Sequence, residues 1–543
     1  MTVLCLASLS KPLLAKVRQR LSASSESCFV VLPSHGADET AGILAELGLT
    51  PDSESALLRS MPGLHRLQCG RHAVFVSADA GKKTGAVQVV AAYDEVWTES
   101  LSEVGRLRRY LSDKSTLHTI ENAGFVPPWL CGKEGVYRIA GHTESKKSTY
   151  TNRGRDILIV GAGLAGAMTA WSLSHRGCRP IIVDAGCVPG SGASALCAGL
   201  IHPHWQASDS PLFQLTRAGY ERMVPLLAAF PDCFIPCGVV DAASSDEEYA
   251  RWVKAYESSV PFAMPETFAF LMTREEASAR CGLPLLRGGW YFPKAGLVRA
   301  GRLCRRLTEA SGALVFTGMA VKLERRDGLW TAVSEAGAVI ARAERAVVAT
   351  GLATSDVLGL DDAYLQMSGL YGRISLLRDT DVPTLRSALT GDGYLANTPE
   401  GFCAVGATYE PGIQRGMTVE EAHEHNLSTF EKLTGSRPAV LAKGFYEGVR
   451  AVASDRMPLA GRGVTSAELT GLAFRGVPEA SAIARAPGLW ICAGLGSRGI
   501  TWGLACADLV AADICNEPLP LPASLVRQLD PVRFVPKLIG TKL

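Results

Sequence analysis

Asp156-Ile-Leu-Ile-Val-Gly161-Ala-Gly-Leu-Ala-Gly166 is the stretch on which the fold turns. The apolar run Asp156-Ile-Leu-Ile-Val160 reads as a strand buried on both faces, as in a parallel sheet. Ala165 to His175 reads as a helix, and Arg179-Pro-Ile-Ile-Val-Asp184 as the next strand. Between strand and helix stands Gly161-x-Gly163-x-x-Gly166. Gly161 permits the tight turn, Gly163 lets a pyrophosphate approach the backbone, and Gly166 lets helix and strand pack closely. The helix N-terminus offers free N–H groups and a positive dipole end to phosphates. Asp184, 18 residues after Gly166, is placed to accept hydrogen bonds from a ribose. Alone, a glycine-rich turn is weak evidence. Followed by helix, second strand and terminal acid, it specifies a dinucleotide-binding unit.

The bulk properties agree. With 543 residues, 47% of them hydrophobic, the chain is long enough for two or more cores. A net charge of +2 argues against a dedicated nucleic-acid module, though not against a local basic patch. Fifteen cysteines are scattered singly from Cys5 to Cys515, and the Cys233/Cys237 pair has no second pair beside it. They read as reduced thiols, with no metal site. The N-terminal apolar stretch lacks a basic flank, so no signal peptide is expected, and no apolar run reaches membrane-spanning length. A cytoplasmic location is the simplest expectation. The polar stretch Thr143 to Arg155 reads as a linker. Residues 1–150 before it suggest a small α/β domain, with strands at Cys28–Leu32 and His72–Ser77 and helices at Lys11–Leu21 and Ala41–Leu47. None of its strands is followed by a glycine-rich nucleotide turn.

Beyond the dinucleotide turn, several segments stand in a telling order: Gly190-Ser-Gly192-Ala-Ser-Ala195, Arg345-Ala-Val-Val-Ala-Thr-Gly351, Gly448-Val-Arg450 with Asp455 and Pro458-Leu-Ala-Gly461, and Cys492-Ala-Gly-Leu-Gly-Ser-Arg-Gly-Ile500. This set resembles flavin oxidases of the D-amino-acid-oxidase and glycine-oxidase type. The resemblance implies FAD rather than NAD. It implies an α/β chain with a Rossmann-type FAD-binding domain and an antiparallel-sheet, α+β substrate domain. The FAD-binding domain is expected at about 155–230, 290–355 and 445–543, and the substrate domain at about 231–289 and 356–444. Cofactor contacts are expected from Gly161, Gly163, Gly166, Asp184, Gly192, Ala193, Ser194, Val321, Thr350, Gly351, Gly496, Gly499 and Ile500, the last two opening a final helix aimed at the flavin ring.

The likeness narrows through Gly192-Ala-Ser-Ala-Leu-Cys-Ala-Gly-Leu-Ile-His-Pro203, Gly391-Asp-Gly-Tyr-Leu395, Val405-Gly-Ala-Thr-Tyr409 and the tail Asn516-Glu-Pro-Leu-Pro-Leu-Pro522. Residues 155–540 are similar to the FAD-dependent oxidase half of the bifunctional tRNA wobble-uridine enzymes that make 5-methylaminomethyl-2-thiouridine. That implies a tRNA substrate whose carboxymethylaminomethyl uridine 34 is oxidised, with release of glyoxylate. Molecular oxygen is the reoxidant, and a separate methyltransferase is a possible partner. The chain departs from that family in front, where a methyltransferase domain is expected and only a short segment stands. Asp94-Glu-Val-Trp97, Ser115 to Thr119 and Ala123-Gly-Phe125 resemble the late strands of such a domain, consistent with a degenerate remnant. Leu196-Cys197-Ala198 also replaces polar residues of the family.

An amino-acid amine oxidase needs a carboxylate clamp, and arginine's planar fork matches a carboxylate bidentately. Arg450 and Arg498 are the candidates, with Tyr394 as a third catalytic position. Arg373 in Tyr371-Gly-Arg373 reads rather as structural. Tyr371, Tyr394 and Tyr409 are candidate pocket aromatics on which a base can stack. His202 and His204 lie near the expected flavin ring, where a histidine tunes or acts as a base, or simply packs a loop. Cys197 and His202 are near enough to be covalent flavin ligands, though noncovalent binding is expected. Arg106-x-Arg108-Arg109 and Arg302 with Arg305-Arg306 are phosphate-binding candidates or solvated helix faces. Two other readings stay open. One is a small-molecule glycine, sarcosine or D-amino-acid oxidase or dehydrogenase. The other is a non-catalytic flavin scaffold that docks tRNA or a methyltransferase.

Overall fold

The computed structural model describes residues 2–6, 9–32, 35–36, 39–51, 63–69, 72–79, 95–98, 116–119, 130–133 and 136–139, then 155–536 apart from 261–263, 441, 471 and 473–478, and residue 538. The contacts divide the chain into two compact units, residues 1–151 with 512–524 and residues 152–511 with 525–543.

In the first unit, a sheet runs in the order 35–36, 72–79, 28–31, 2–6, 95–98, 116–119, 136–139, 130–133, with 63–69 beside 72–79. Its middle is parallel, through the pairings of 72–79 with 28–31, 28–31 with 2–6, 2–6 with 95–98 and 95–98 with 116–119. The edge strands 136–139 and 130–133 are antiparallel. Helix Lys11–Ala23 starts at Ser10, whose hydroxyl accepts the Leu13 N–H. Leu14, Val17 and Leu21, at helical spacing, bury against Leu4, Val30 and Val74. The expected strands and helices of this segment are present, as Cys28–Val31, His72–Asp79, Lys11–Ala23 and Thr40–Glu46. The linker from 143 to 154, the Arg106 cluster and Ala123-Gly-Phe125 lie outside the described residues.

The second unit holds two principal sheets. The first runs 314–316, 179–183, 156–160, 345–348, 489–493, 459–462. All neighbours are parallel except the last pair. Strand Asp156–Val160 is central and its apolar residues are fully buried, which is why it carries no alternation. The chain leaves it to one side through 179–183 and returns to the other through 345–348. The carboxyl end of 156–160 is therefore the switch point at which open α/β sheets bind ligands. A three-stranded antiparallel sheet, Val321–Arg326, Leu329–Ser334 and Val339–Ala343, accompanies it.

The second principal sheet runs 270–272, 289–292, 239–242, 388–390, 394–398, 402–406, 367–378, 410–411, with 444–453 also paired to 367–378. It is antiparallel apart from the 239–242/388–390 pair. Strands Gly289–Phe292 and Gly444–Ala453 belong to this sheet, so it reaches past the boundaries expected near 290 and 445. Its two faces differ. Val240, Leu389, Leu395 and Val405 stand in one register row and pack with Leu427, Phe430 and Leu433 of helix Val419–Thr434. The neighbouring row is Asp241, Thr390, Tyr394, Gly406, Ile374 and Tyr446. Side chains alternate along a strand, so this second row, with Gly448 and Arg450 further along the same strand, lines the opposite face. Helix Gly499–Ile514 opens as expected but is not the final helix, since Ala523–Leu529 follows. Among the described residues, no helix is long and apolar enough to cross a membrane.

Candidate active site

The glycine turn does what its spacing requires. Gly161 has φ +107°, and a Cβ there would stand 2.4 Å from the Ala349 carbonyl oxygen; one on Gly166 would stand 1.8 Å from that of Gly161. Both glycines are therefore demanded by close backbone approach. Helix Leu164–Ser174 opens at Gly163 without a side-chain cap from that residue. The Leu164 N–H instead donates to Ser194 Oγ at 3.0 Å. Asp184 braces the turn: its carboxylate accepts the Ala162 N–H at 2.6 Å and the Gly186 N–H at 2.8 Å. A carboxylate offers about four acceptor positions, so this bracing role, which its place at the strand end did not disclose, leaves capacity for a ribose. The segment leading to Val321 is tied to the same place, through Met319 N–H to the Asp184 carbonyl at 2.9 Å and Gly318 N–H to that of Gly186 at 2.8 Å.

The remaining expected cofactor positions converge on the strand that carries Arg450. Tyr446 Oη donates to the Ala193 carbonyl at 3.2 Å, within reach also of that of Gly192. A Cβ on Gly351 would lie 3.7 Å from the Ala451 Cβ, and one on Gly496 3.7 Å from Val452. Both glycines have positive φ, +58° and +57°. Thr350 precedes Gly351 in the same turn. Gly499 opens its helix beside Leu164, and Ile500 packs over Gly199. The cradle thus combines a helix N-terminus, small residues and two positive-φ glycine turns, which fits a dinucleotide. Tyr446 was missed in the sequence. Its signal is the two-residue period Tyr446, Gly448, Arg450 along one strand.

Arg450 has a buried Nη1 with no hydrogen-bond partner. That nitrogen lies over Gly372, where a Cβ would meet it at 2.2 Å. The Arg450 Cζ is 4.8 Å from the centroid of the Tyr409 ring. Tyr394 Oη is also buried without a partner, and burial raises its pKa, with Cys197 adding to the shift and Arg450 opposing it. Tyr446 is pushed up to about 12 by burial, with the same two neighbours acting on it. An unpaired guanidinium N–H and an unpaired phenol on one face are costly to leave so, and this is how a pocket awaiting a polar ligand is built.

Arg498 is half-buried in the turn before helix Gly499–Ile514. Burial lowers its pKa, and Tyr409, Arg456 and Asp241 act on it electrostatically. His202 and His204 are both lowered to about 4, chiefly by burial, so both are neutral at pH 7. His202 Nδ1 bonds the Pro203 carbonyl at 3.0 Å, a loop-packing role. Burial raises the Cys197 thiol, with a smaller contribution from Glu400, the opposite of what a thiolate nucleophile requires. Asp241, unremarked in the sequence, is raised to about 7 by burial and by Glu248, against the pull of Arg498.

Arg373 is placed elsewhere. It points to the helix-covered face, 1% exposed. It donates to Glu447 Oε2 at 3.0 Å and to the Thr418 carbonyl at 2.9 Å. Tyr371 also bonds Glu447. The Arg302 and Arg306 pair is engaged by Asp232 at 3.1 and 3.4 Å, as expected of a solvated helix face.

The pattern of the FAD dependent oxidoreductase family matches residues 156–512. The chain belongs to this family. FAD is therefore its cofactor. The tRNA 5-methylaminomethyl-2-thiouridine biosynthesis bifunctional protein MnmC of Burkholderia mallei is 29% identical over 506 residues, covering 87% of this chain and 74% of the relative. The protein of the same name from Burkholderia pseudomallei is equally similar. Among solved structures, glycine oxidase from Geobacillus kaustophilus aligns with a TM-score of 0.57 at 22% identity, covering 70% of this chain and 99% of that one. Iminodiacetate oxidase from Chelativorans sp. BNC1 aligns with a TM-score of 0.54 at 22% identity, covering 69% and 98%. These structures share the fold.

Proposed function

We propose that this chain oxidises the carboxymethylaminomethyl group of a tRNA wobble uridine, leaving a 5-aminomethyl group and releasing glyoxylate. The observation that carries the reading is the unpartnered Nη1 of Arg450 beside the unpartnered Tyr394 hydroxyl, on the sheet face that adjoins the FAD loop. An arginine left unpaired there suits one charged end of a substrate, and a carboxylate matches its fork. The tRNA assignment is supported by likeness to the MnmC proteins over 87% of the chain.

In this reading Arg450 grips the glycyl carboxylate and Tyr394 donates a second hydrogen bond to it. FAD, when bound, supplies the two-electron acceptor for oxidation of the N–CH2 carbon. The substrate becomes an imine, which water hydrolyses to glyoxylate and the primary amine. Gly163 and the first turn of helix Leu164–Ser174 beyond the Leu164 N–H face the pyrophosphate, and Gly161 and Gly166 give the turn the close approach this needs. Gly192 to Ser194, Thr350, Gly351, Gly496, Gly499 and Ile500 line the rest of the groove, and Asp184 and Val321 its ribose-adenine end. Arg498 adds positive charge at the mouth of the site, toward substrate or phosphate. Molecular oxygen returns the enzyme to its starting state.

The test is anaerobic mixing of the yellow holoprotein with tRNA bearing 5-carboxymethylaminomethyluridine. Bleaching with stoichiometric glyoxylate is expected. Bleaching by glycine or sarcosine but not by this tRNA would instead identify a small-molecule oxidase. Retained flavin with no turnover on any of these would identify a scaffold.

A further inference from the structure

We infer that the ring of Tyr409 is the platform on which the pyrimidine of the substrate stacks, so that this residue selects a base-linked amine over a free one. The inference rests on the proposed reaction and concerns the same site.

Tyr409 is 56% exposed. A large apolar side chain so exposed is unremarkable in a loose loop, but here both neighbours are locked. Thr408 is fully buried; its hydroxyl accepts the Arg373 N–H at 2.9 Å and donates to Glu410 Oε1 at 3.1 Å. Glu410 is 6% exposed, and its other oxygen accepts the N–H groups of Gly416 and Met417 at 2.7 and 2.8 Å. These bonds hold its carboxylate below the usual range against the opposing effect of burial. The two anchors close the 410–417 loop on itself and fix the backbone on either side of Tyr409. A tyrosine on an anchored backbone has only two side-chain torsions left to order, so it loses little conformational freedom when a ligand lands on it.

The distance fits the chemistry. The Tyr409 ring lies 4.8 Å from the Arg450 guanidinium carbon. In the proposed substrate, four single bonds separate ring carbon C5 from the carboxylate carbon, a reach of about 5 Å. A carboxylate on Arg450 therefore leaves the base within stacking distance of Tyr409 and out of reach of a remote platform. The other tyrosines are unsuited. Tyr371 is 5% exposed and bonds Glu447. Tyr394 keeps its hydroxyl buried, and Tyr446 uses its own on the Ala193 carbonyl. Stacking of bases on aromatic rings is the usual means of holding an unpaired RNA base.

The experiment compares two substrates with the same reacting group in the full-length FAD-loaded protein: the nucleoside 5-carboxymethylaminomethyluridine and sarcosine. Anaerobic flavin bleaching gives kcat/KM for each, and their ratio is the readout. Tyr409→Ala is expected to lower the ratio on the order of ten- to a hundredfold, mainly through KM for the nucleoside, and Tyr409→Phe to keep it. An unchanged ratio in Tyr409→Ala overturns the inference, as does an equal loss in Tyr409→Phe, which would assign the effect to the hydroxyl. If the wild type is bleached by modified tRNA and the ratio does not move, the inference alone fails. If modified tRNA does not bleach the wild type, the proposed function fails and the inference falls with it.

Discussion

Arg373 and Arg450 sit on adjacent, paired strands of one sheet, and they have opposite fates. Arg373 points to the helix-covered face, where Glu447, Thr418 and Tyr371 surround its guanidinium. Arg450 points to the other face, where its Nη1 is buried without a partner. The same residue type is a structural staple on one side and keeps an unpartnered buried nitrogen on the other. What separates them is completion of the hydrogen-bond inventory: a buried cation whose partners lie within the chain holds the fold, and one whose partner is missing awaits a ligand.

The largest effect expected from breaking this contrast is on Arg450. Arg450→Met removes two charge-assisted hydrogen bonds to a carboxylate, so kcat/KM for flavin bleaching falls roughly a hundred- to ten-thousandfold. The melting temperature should change little, since no internal hydrogen bond is abandoned and only the exposed contact with the Tyr409 ring is lost. A matching loss of stability would mean that Arg450 is structural after all. Arg373→Met reverses the pattern. It removes the buried guanidinium's bonds to Glu447 and the Thr418 carbonyl, while Glu447 keeps Arg415 and Tyr371, and costs about 1–3 kcal/mol, visible as a lower melting temperature with flavin absorbance as the probe. Substrate saturation in the surviving folded fraction should change little.

A smaller effect belongs to Asp241, which shares the open face. Its pKa is raised from 3.8 to about 7. The folded state therefore favours the protonated acid, a contribution present below pH 4 and lost as pH rises through 7. Asp241→Asn should then melt with the wild type at pH 4.5 and be more stable on the order of 2 kcal/mol at pH 8. A constant difference across that range would place the carboxyl in water. His202 and His204 carry the opposite sign, stabilising above pH 6.5 and ceasing to do so as pH falls through 4. They are common to both proteins, so they cancel in the comparison. The smallest effect is that of Tyr394→Phe. Deleting an unpaired hydroxyl should leave stability within about 0.5 kcal/mol, while weakening substrate binding by roughly two- to tenfold. A clear loss of stability would reveal an internal partner for that hydroxyl.

Much of the cofactor half was legible because its determinants are local. Gly166 is demanded by the Gly161 carbonyl five residues before it, and Gly161 by its own positive φ as well as by the Ala349 carbonyl on the neighbouring strand; the tight turn still writes itself into consecutive positions. The apolar run 156–160 and the helix after it follow from burial on both faces and from the close packing that Gly166 permits. The open face of the substrate sheet is another matter. Asp241, Tyr394, Tyr446 and Arg450 come from three strands spread over more than two hundred positions. Nothing in the local pattern of Val239-Val-Asp-Ala242 says that its acid shares a row with Tyr394.

The chain by itself therefore determined the dinucleotide turn, the helix and strands around it, and the arginine types a carboxylate needs, since each depends on sterics or side-chain chemistry within a short span. Only the tertiary structure decided which arginine is satisfied and which is open, that Asp184 braces the turn, and that Tyr409 stands exposed beside Arg450. Those properties depend on register between distant strands and on the count of hydrogen-bond partners at each buried atom, and neither quantity exists until the sheet has formed.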